Sequence, residues 1–238
     1  MSGGHDANPA AGLAVSSVAW LPCHRLIASR FPTVGLYDQV ASPEDLDVVY
    51  AIEALTNPRV RQELAQLSLV PPADRVAGAG ATLIMAAFTH LNPLGSRFSD
   101  GSWGVYYAAA SLETAVAEVS HHRAAFLART AEEAIDIDLR WIQADLVDKL
   151  HELRGQGVAW PAVHDPSAYG ASQALGRALR AQGSAGIAYD SVRHPQGQCV
   201  AIFKPKALSK ARAVGHLGLH WDGRAITHWF EKGAPHVL

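Results

Sequence analysis

The chain has 238 residues, 49% hydrophobic and 18% charged, which is enough for one domain with a sizeable core and too apolar for general disorder. A net charge of −2 gives no overall pull toward nucleic acid or an anionic membrane surface, and no uninterrupted apolar run is long enough to span a bilayer. Cys23 and Cys199, the two cysteines, both lie in apolar extended contexts and read as free core thiols. No Lys or Arg precedes the mildly apolar start, so no secretory leader is expected, and the reading is a reducing cytoplasm.

Residues 1–17, small and polar with Gly and Pro, read as a flexible N-terminal arm ahead of a single domain at 18–238. Leu21 to Ser29 is predicted as a strand carrying Arg25, with Pro22 marking an edge or a strand start. Ser42-Pro43-Glu44-Asp45 is a strong helix start, with an N-cap, Pro at the first helical position and acids in the first turn. Asn57-Pro58 resets the chain into a second helix to about Leu67, which Pro71-Pro72 ends, and Ala79 to His90 is a third. Residues 42–91 therefore read as a helical lobe inserted between Arg25 and Arg97.

Arg97 and Phe98 follow in an extended run that breaks at Asp100-Gly101, a turn dipeptide, and Trp103 to Ala108 is predicted as the next strand. Ser111 supplies an N-cap oxygen, and Leu112, Ala115, Val116, Val119, Phe126 and Leu127 recur at helical spacing, giving a helix from about Leu112 to Arg129. Ile135 to Trp141 alternates as a strand, Leu146 to Leu153 reads as a short helix, and Asp165-Pro166 opens a helix that stops at Gly183. Gly186 to Asp190 and Gln198 to Phe203 form a hairpin, and Asp222-Gly223 joins a last one, HLGLHW to RAITHW. The class is α+β, a largely antiparallel sheet with flanking helices.

Gly78-Ala79-Gly80 lacks the third glycine and the strand of a Rossmann site, and there is no phosphate loop of the Walker type. His216, His220 and His228 have no companion motif, so no metal is expected, and no Gly-x-Ser-x-Gly elbow is present. Arg97, Tyr107 and Glu118 offer a guanidinium fork for an anion, a ring for stacking and a carboxylate. By spacing alone, Glu118 reads as a solvated residue on the flank of its helix.

The pattern Arg-Phe and turn, Val-Tyr-Tyr-Ala, then Ala-x-x-Glu, with an early Arg and a late Tyr-x-Ser, resembles the RES domain, from about Leu21 to Pro205. The resemblance implies an ADP-ribosyltransferase-like fold and a toxin of an Xre-RES toxin–antitoxin pair, of the longer, ParT-like branch, acting on NAD at the bond between nicotinamide and ribose. Motif by motif, it places the first arginine on Arg25, with Arg30 as the neighbouring alternative, the second on Arg97, the tyrosine on Tyr107, the glutamate on Glu118 and the serine on Ser191. Shorter members read Gly-Gly-Arg-Trp-Asn-Pro where this chain reads Gly-Ser-Arg-Phe-Ser-Asp, a difference at the ribose pocket.

Under this resemblance Glu118 would stabilise an oxocarbenium-like transition state. Arg25 and Arg97 would hold the phosphates, Tyr107 would stack on nicotinamide, and Ser191 would orient nicotinamide or ribose. The implied partners are an Xre-type antitoxin and a protein acceptor of ADP-ribose, phosphoribosyl pyrophosphate synthetase being the family-suggested target. An NAD glycohydrolase or phosphorylase, and a non-catalytic nucleotide-binding module, are the alternatives.

Overall fold

The computed structural model describes residues 10, 12–28, 38, 42, 67–130 and 132–233. The sheet is built on β3 (Ile135–Glu152), in which Leu139, Ile142, Ala144, Leu146 and Leu150 are each at most 1% exposed. Each of these larger side chains contributes about 1.5–3 kcal/mol on burial. β1 (Val15–Ala28) runs antiparallel along one side of β3, from Val15↔His151 to Ala28↔Leu139. On the other side of β3 lie β6 (Leu208–Trp221), antiparallel, and β4 (Gly186–Asp190), parallel at His151↔Ile187. β5 (Gln198–Ile202) sits between β4 and β2 (Tyr106–Ala109), and β2 meets β1 at the single position His24↔Ala109. β1 is thus hydrogen-bonded on both sides and the sheet curls, while β7 (Ile226–Lys232) pairs with β6 at the far edge.

Among the described residues, three helices flank this sheet: α1 (Ala81–Thr89), α2 (Leu112–Thr130) and α3 (Gly170–Ala181). One face of β2 and β5 carries Tyr106, Ala108, Val200 and Ile202 against Ile84, Met85 and Phe88 of α1. The opposite face carries Ala109, Cys199, Ala201, Ile187 and Tyr189, packed with Phe98, Trp103 and Leu175 and Leu179 of α3. Val116 of α2 packs on Leu139, Leu217 and Leu219. All strand pairings except β3–β4 are antiparallel, so the α+β expectation agrees with the architecture.

Two departures from the sequence reading have one cause. The segment predicted as a helix from Leu146 to Leu153 is strand as far as Glu152, and Val15 to Ser17 belong to β1, not to an arm. Leu146 and Leu150, four apart, satisfy the helical period and the strand period alike, and pairing of Val15–Trp20 with Leu146–His151 decides for the strand. Pro22, which has no N–H for the ladder, falls at the register shift between Trp20 and Cys23. The strand predicted from Trp103 starts only at Tyr106, because Gly104 lies against α1, where a Cβ would stand 2.3 Å from the Phe88 Cα.

The helix predicted from Asp165 begins at Gly170. The Asp165 carboxylate instead accepts from the Ser167 and Ala168 amides in a turn of its own, at 2.7 and 2.8 Å. Phe126 of α2 is 56% exposed rather than in the apolar stripe. Apart from Ser42 and Leu67 at their ends, the helices expected from Ser42 and Asn57 lie outside the described residues, as do most of the N-terminal arm and Arg30.

Candidate active site

The register Tyr107↔Ala201↔Ile187 and Ala109↔Cys199↔Tyr189 sets Tyr107, Cys199 and Tyr189 on one face of the β2–β5–β4 ribbon. α2 begins over that face. Ser111 Oγ accepts from the Thr114 amide at 3.3 Å, the N-cap its sequence position predicts, and seven residues on Glu118 emerges half-buried.

Ser191, just past the end of β4, donates its hydroxyl proton to Glu118 Oε1 at 2.6 Å, and the Cys199 thiol lies 3.9 Å from the same oxygen. Ser191 Oγ accepts in turn from the Arg193 amide at 3.1 Å and the His194 amide at 3.0 Å. With both lone pairs occupied, the one proton of the hydroxyl is directed at the carboxylate. The loop holding Ser191 is closed by Ser191 N to Gly197 O (2.8 Å) and tied back to α2 by the contact of Thr114 Oγ1 with His194 Nδ1 (2.8 Å). Gly197 permits this approach: a Cβ there would stand 2.7 Å from Thr114 Oγ1. Burial, with the Glu118 charge adding to it, pushes the Cys199 thiol far above its ordinary range, so Cys199 faces the carboxylate as a protonated donor.

Arg97 is 8% exposed and is positioned from both sides. Its Nη1 donates to Val163 O at 3.2 Å and Asp165 O at 3.0 Å, and its Cζ lies 4.8 Å from the centre of the Tyr169 ring. The Tyr107 hydroxyl accepts from the Phe98 amide at 2.9 Å and bonds Ser96 Oγ at 2.8 Å, while Gln173 Nε2 donates to Ser96 O at 3.0 Å. Tyr107 therefore fixes the turn that presents Arg97. Burial raises the Tyr107 hydroxyl to about 12, against the opposing Ser96 hydrogen bond.

Arg25 does not join this group. Cys23 and Arg25, two apart on β1, share a face, and Cys23 packs in the core of Tyr106 and Ala108, opposite Tyr107 and Glu118. The Arg25 guanidinium lies 4.6 Å from the centre of the Tyr106 ring, and its Nη1 donates to Tyr107 O at 2.9 Å, filling the fork where β1 and β2 part. Burial lowers its pKa. His24 is the β1 residue that pairs with Ala109 and faces α2.

Arg193, Cys199, Thr114, His194 and the 163–166 loop escape the sequence reading. Arg193 had a local signal, since it follows Ser191 by two residues in Tyr-Asp-Ser-Val-Arg-His. His121 and His122 both sit below their ordinary pKa, chiefly through burial; the Arg193 and Arg97 charges add to the shift, and Glu118 opposes it. Among the described residues, no group of three His, Cys, Asp or Glu is placed to hold a metal.

The chain thus carries a carboxylate fixed by a directed hydroxyl and a buried arginine set on carbonyl oxygens, both on a mostly antiparallel α+β sheet. Its sequence is specific: the chain belongs to the RES domain family, whose model matches residues 72–222, a span that holds Arg97, Tyr107, Glu118 and Ser191 and leaves Arg25 outside. An uncharacterized protein of Sinorhizobium fredii, y4oC, is 30% identical over 206 residues, 86% of this chain and 84% of its own. Among solved structures, the M. tuberculosis MbcT-MbcA toxin–antitoxin complex aligns with a TM-score of 0.46 at 12% identity, covering 84% of this chain and 86% of that one.

Proposed function

We propose that this protein is an NAD-consuming toxin of a toxin–antitoxin pair that transfers ADP-ribose from NAD to a protein acceptor and releases nicotinamide. The observation that carries the reading is the 2.6 Å hydrogen bond from Ser191 to Glu118, against Cys199 on the face that also carries Tyr107. Membership of the RES domain family supports the choice of NAD as the substrate. Arg97 holds phosphate oxygens, the half-buried Tyr107 ring flanks the nicotinamide, and Glu118 faces the ribose. The C1′–N1 bond breaks with its electron pair leaving on nicotinamide, which departs neutral, and the positive charge that develops on the ribose is stabilised by the Glu118 carboxylate. The acceptor then attacks C1′ and gives up its proton to water. Ser191 acts on Glu118, holding it toward C1′, and Arg25 acts from the far face by fixing the Tyr107 carbonyl.

An activity of this kind inside its own host calls for restraint, and an Xre-type antitoxin that places an acidic group or terminal carboxylate on the site arginines fills that role. The test is to incubate the purified protein with NAD alone, with phosphate, and with cell lysate, and to follow free nicotinamide and protein mass. A mass increment of one ADP-ribose on a lysate protein is the expected result. Nicotinamide release without any such adduct assigns the acceptor to water or phosphate, and no release in any arm rejects the enzyme.

A further inference from the structure

The site needs a second cation if it takes a diphosphate, and Arg25 stands on the opposite face of the sheet. Arg193 stands on the correct one. Its backbone amide is fixed on Ser191 Oγ at 3.1 Å, and its Nη2 donates to Pro166 O. Arg97 Nη1 donates to Asp165 O at 3.0 Å, so the two guanidiniums hang on consecutive carbonyl oxygens of one loop, whose Cα atoms are about 3.8 Å apart. Both charges, together with that of Glu118, also bear on His121 of α2.

Among the described residues neither guanidinium is bonded to a carboxylate; their hydrogen bonds go to carbonyl oxygens, and the Tyr169 ring lies against that of Arg97. Arg97 spends only Nη1 on the loop, which leaves its Nε–Nη2 edge as a planar fork, and Arg193 keeps donors beyond the one given to Pro166. Two neighbouring cations without an anion repel each other, and an anion lying between them relieves that repulsion.

We infer that Arg97 and Arg193 form a clamp for the two linked phosphates of a diphosphate ester, with the 163–166 loop setting their spacing. The inference rests on the NAD reading for the identity of that ester and on the loop geometry for the clamp. Arg193 is then a binding residue outside the set implied by the family motifs. Its place two residues after Ser191 sets phosphate capture beside the hydroxyl that orients Glu118.

The test is calorimetric titration of wild type, Arg193→Lys and Arg193→Met with NAD, ADP-ribose and inorganic pyrophosphate, with melting temperatures measured alongside. Lysine keeps the charge and can still reach the Pro166 carbonyl, so a role confined to tethering the loop predicts near-wild-type affinity. The clamp predicts Kd values for NAD and ADP-ribose raised about tenfold or more by Arg193→Lys, and further by Arg193→Met, at unchanged melting temperature. Arg193→Lys within about twofold of wild type for ADP-ribose overturns the clamp. A wild type that ignores NAD yet binds pyrophosphate in an Arg193-dependent way removes the NAD reading and leaves the clamp standing. A wild type that binds none of the three ligands overturns both.

Discussion

Ser191→Ala separates two roles for one hydroxyl, turn former or orienter of Glu118. Alanine removes the 2.6 Å bond donated to Glu118 and the acceptor used by the Arg193 and His194 amides at 3.1 and 3.0 Å. A bond to a charged group is worth about 1.5–3 kcal/mol. Glu118 and the loop are half-buried, so water recovers part of that bond and most of the two amide bonds, leaving a stability cost of about 1–2 kcal/mol. Glu118 would then sample its rotamers freely, and losing one or two orders of magnitude of correctly held carboxylate corresponds to about 1.4–2.8 kcal/mol on the barrier. Urea denaturation reads the first quantity, and nicotinamide release under saturating NAD reads the second. The expected result is kcat down about ten- to hundredfold with the NAD Kd nearly unchanged, because Ser191 acts on the carboxylate and not on the ligand. A stability loss with unchanged kcat makes Ser191 a turn former only. A raised Kd at constant kcat instead puts its hydroxyl on nicotinamide or ribose, and either outcome refutes the reasoning.

Arg97→Lys should weaken NAD binding about tenfold although charge is kept, since lysine cannot hold two carbonyl oxygens and also present a fork; titration calorimetry checks it. Tyr107→Phe keeps the ring but leaves the Phe98 amide without its acceptor, at a cost of about 1–3 kcal/mol in urea denaturation. Glu152 is held down at about 2, first by its hydrogen bonds from Arg154, and its side chain is 19% exposed. A depressed carboxylate stabilises the fold above its ordinary value and loses that contribution as pH falls through its folded one. Glu152→Gln should therefore cost about 1–2 kcal/mol at neutral pH, after allowing for screening. The gap to wild type should narrow as pH drops below the ordinary value of 4.5 toward about 2.

Features fixed by neighbours in sequence were legible before the fold was known. Ser111 caps α2, Asp222-Gly223 turns β6 into β7, and Gly186–Asp190 pairs with Gln198–Ile202, because each depends on residues a few positions apart. What failed depends on partners far along the chain: the start of β1 and the end of β3 each look like something else until they meet. The site divides in the same way. The family motif pointed to Glu118 and Ser191, and the structure joins them, yet periodicity alone left Glu118 as a solvated flank. Nothing in the sequence shows that the Ser191 proton is aimed by the amides of Arg193 and His194, nor that the register of β1 across Pro22 sends Arg25 to the far face.

The most direct measurement is nicotinamide release from NAD by purified wild type and Glu118→Gln, with folding followed by melting temperature. Glutamine preserves the shape and the hydrogen bond from Ser191 but carries no charge to oppose the one developing on the ribose. The account predicts turnover by the wild type, a loss of about a hundredfold or more in the variant, and a melting temperature close to that of wild type. Turnover in the variant within about tenfold of wild type contradicts the role given to Glu118, and a wild type that releases no nicotinamide contradicts the activity itself.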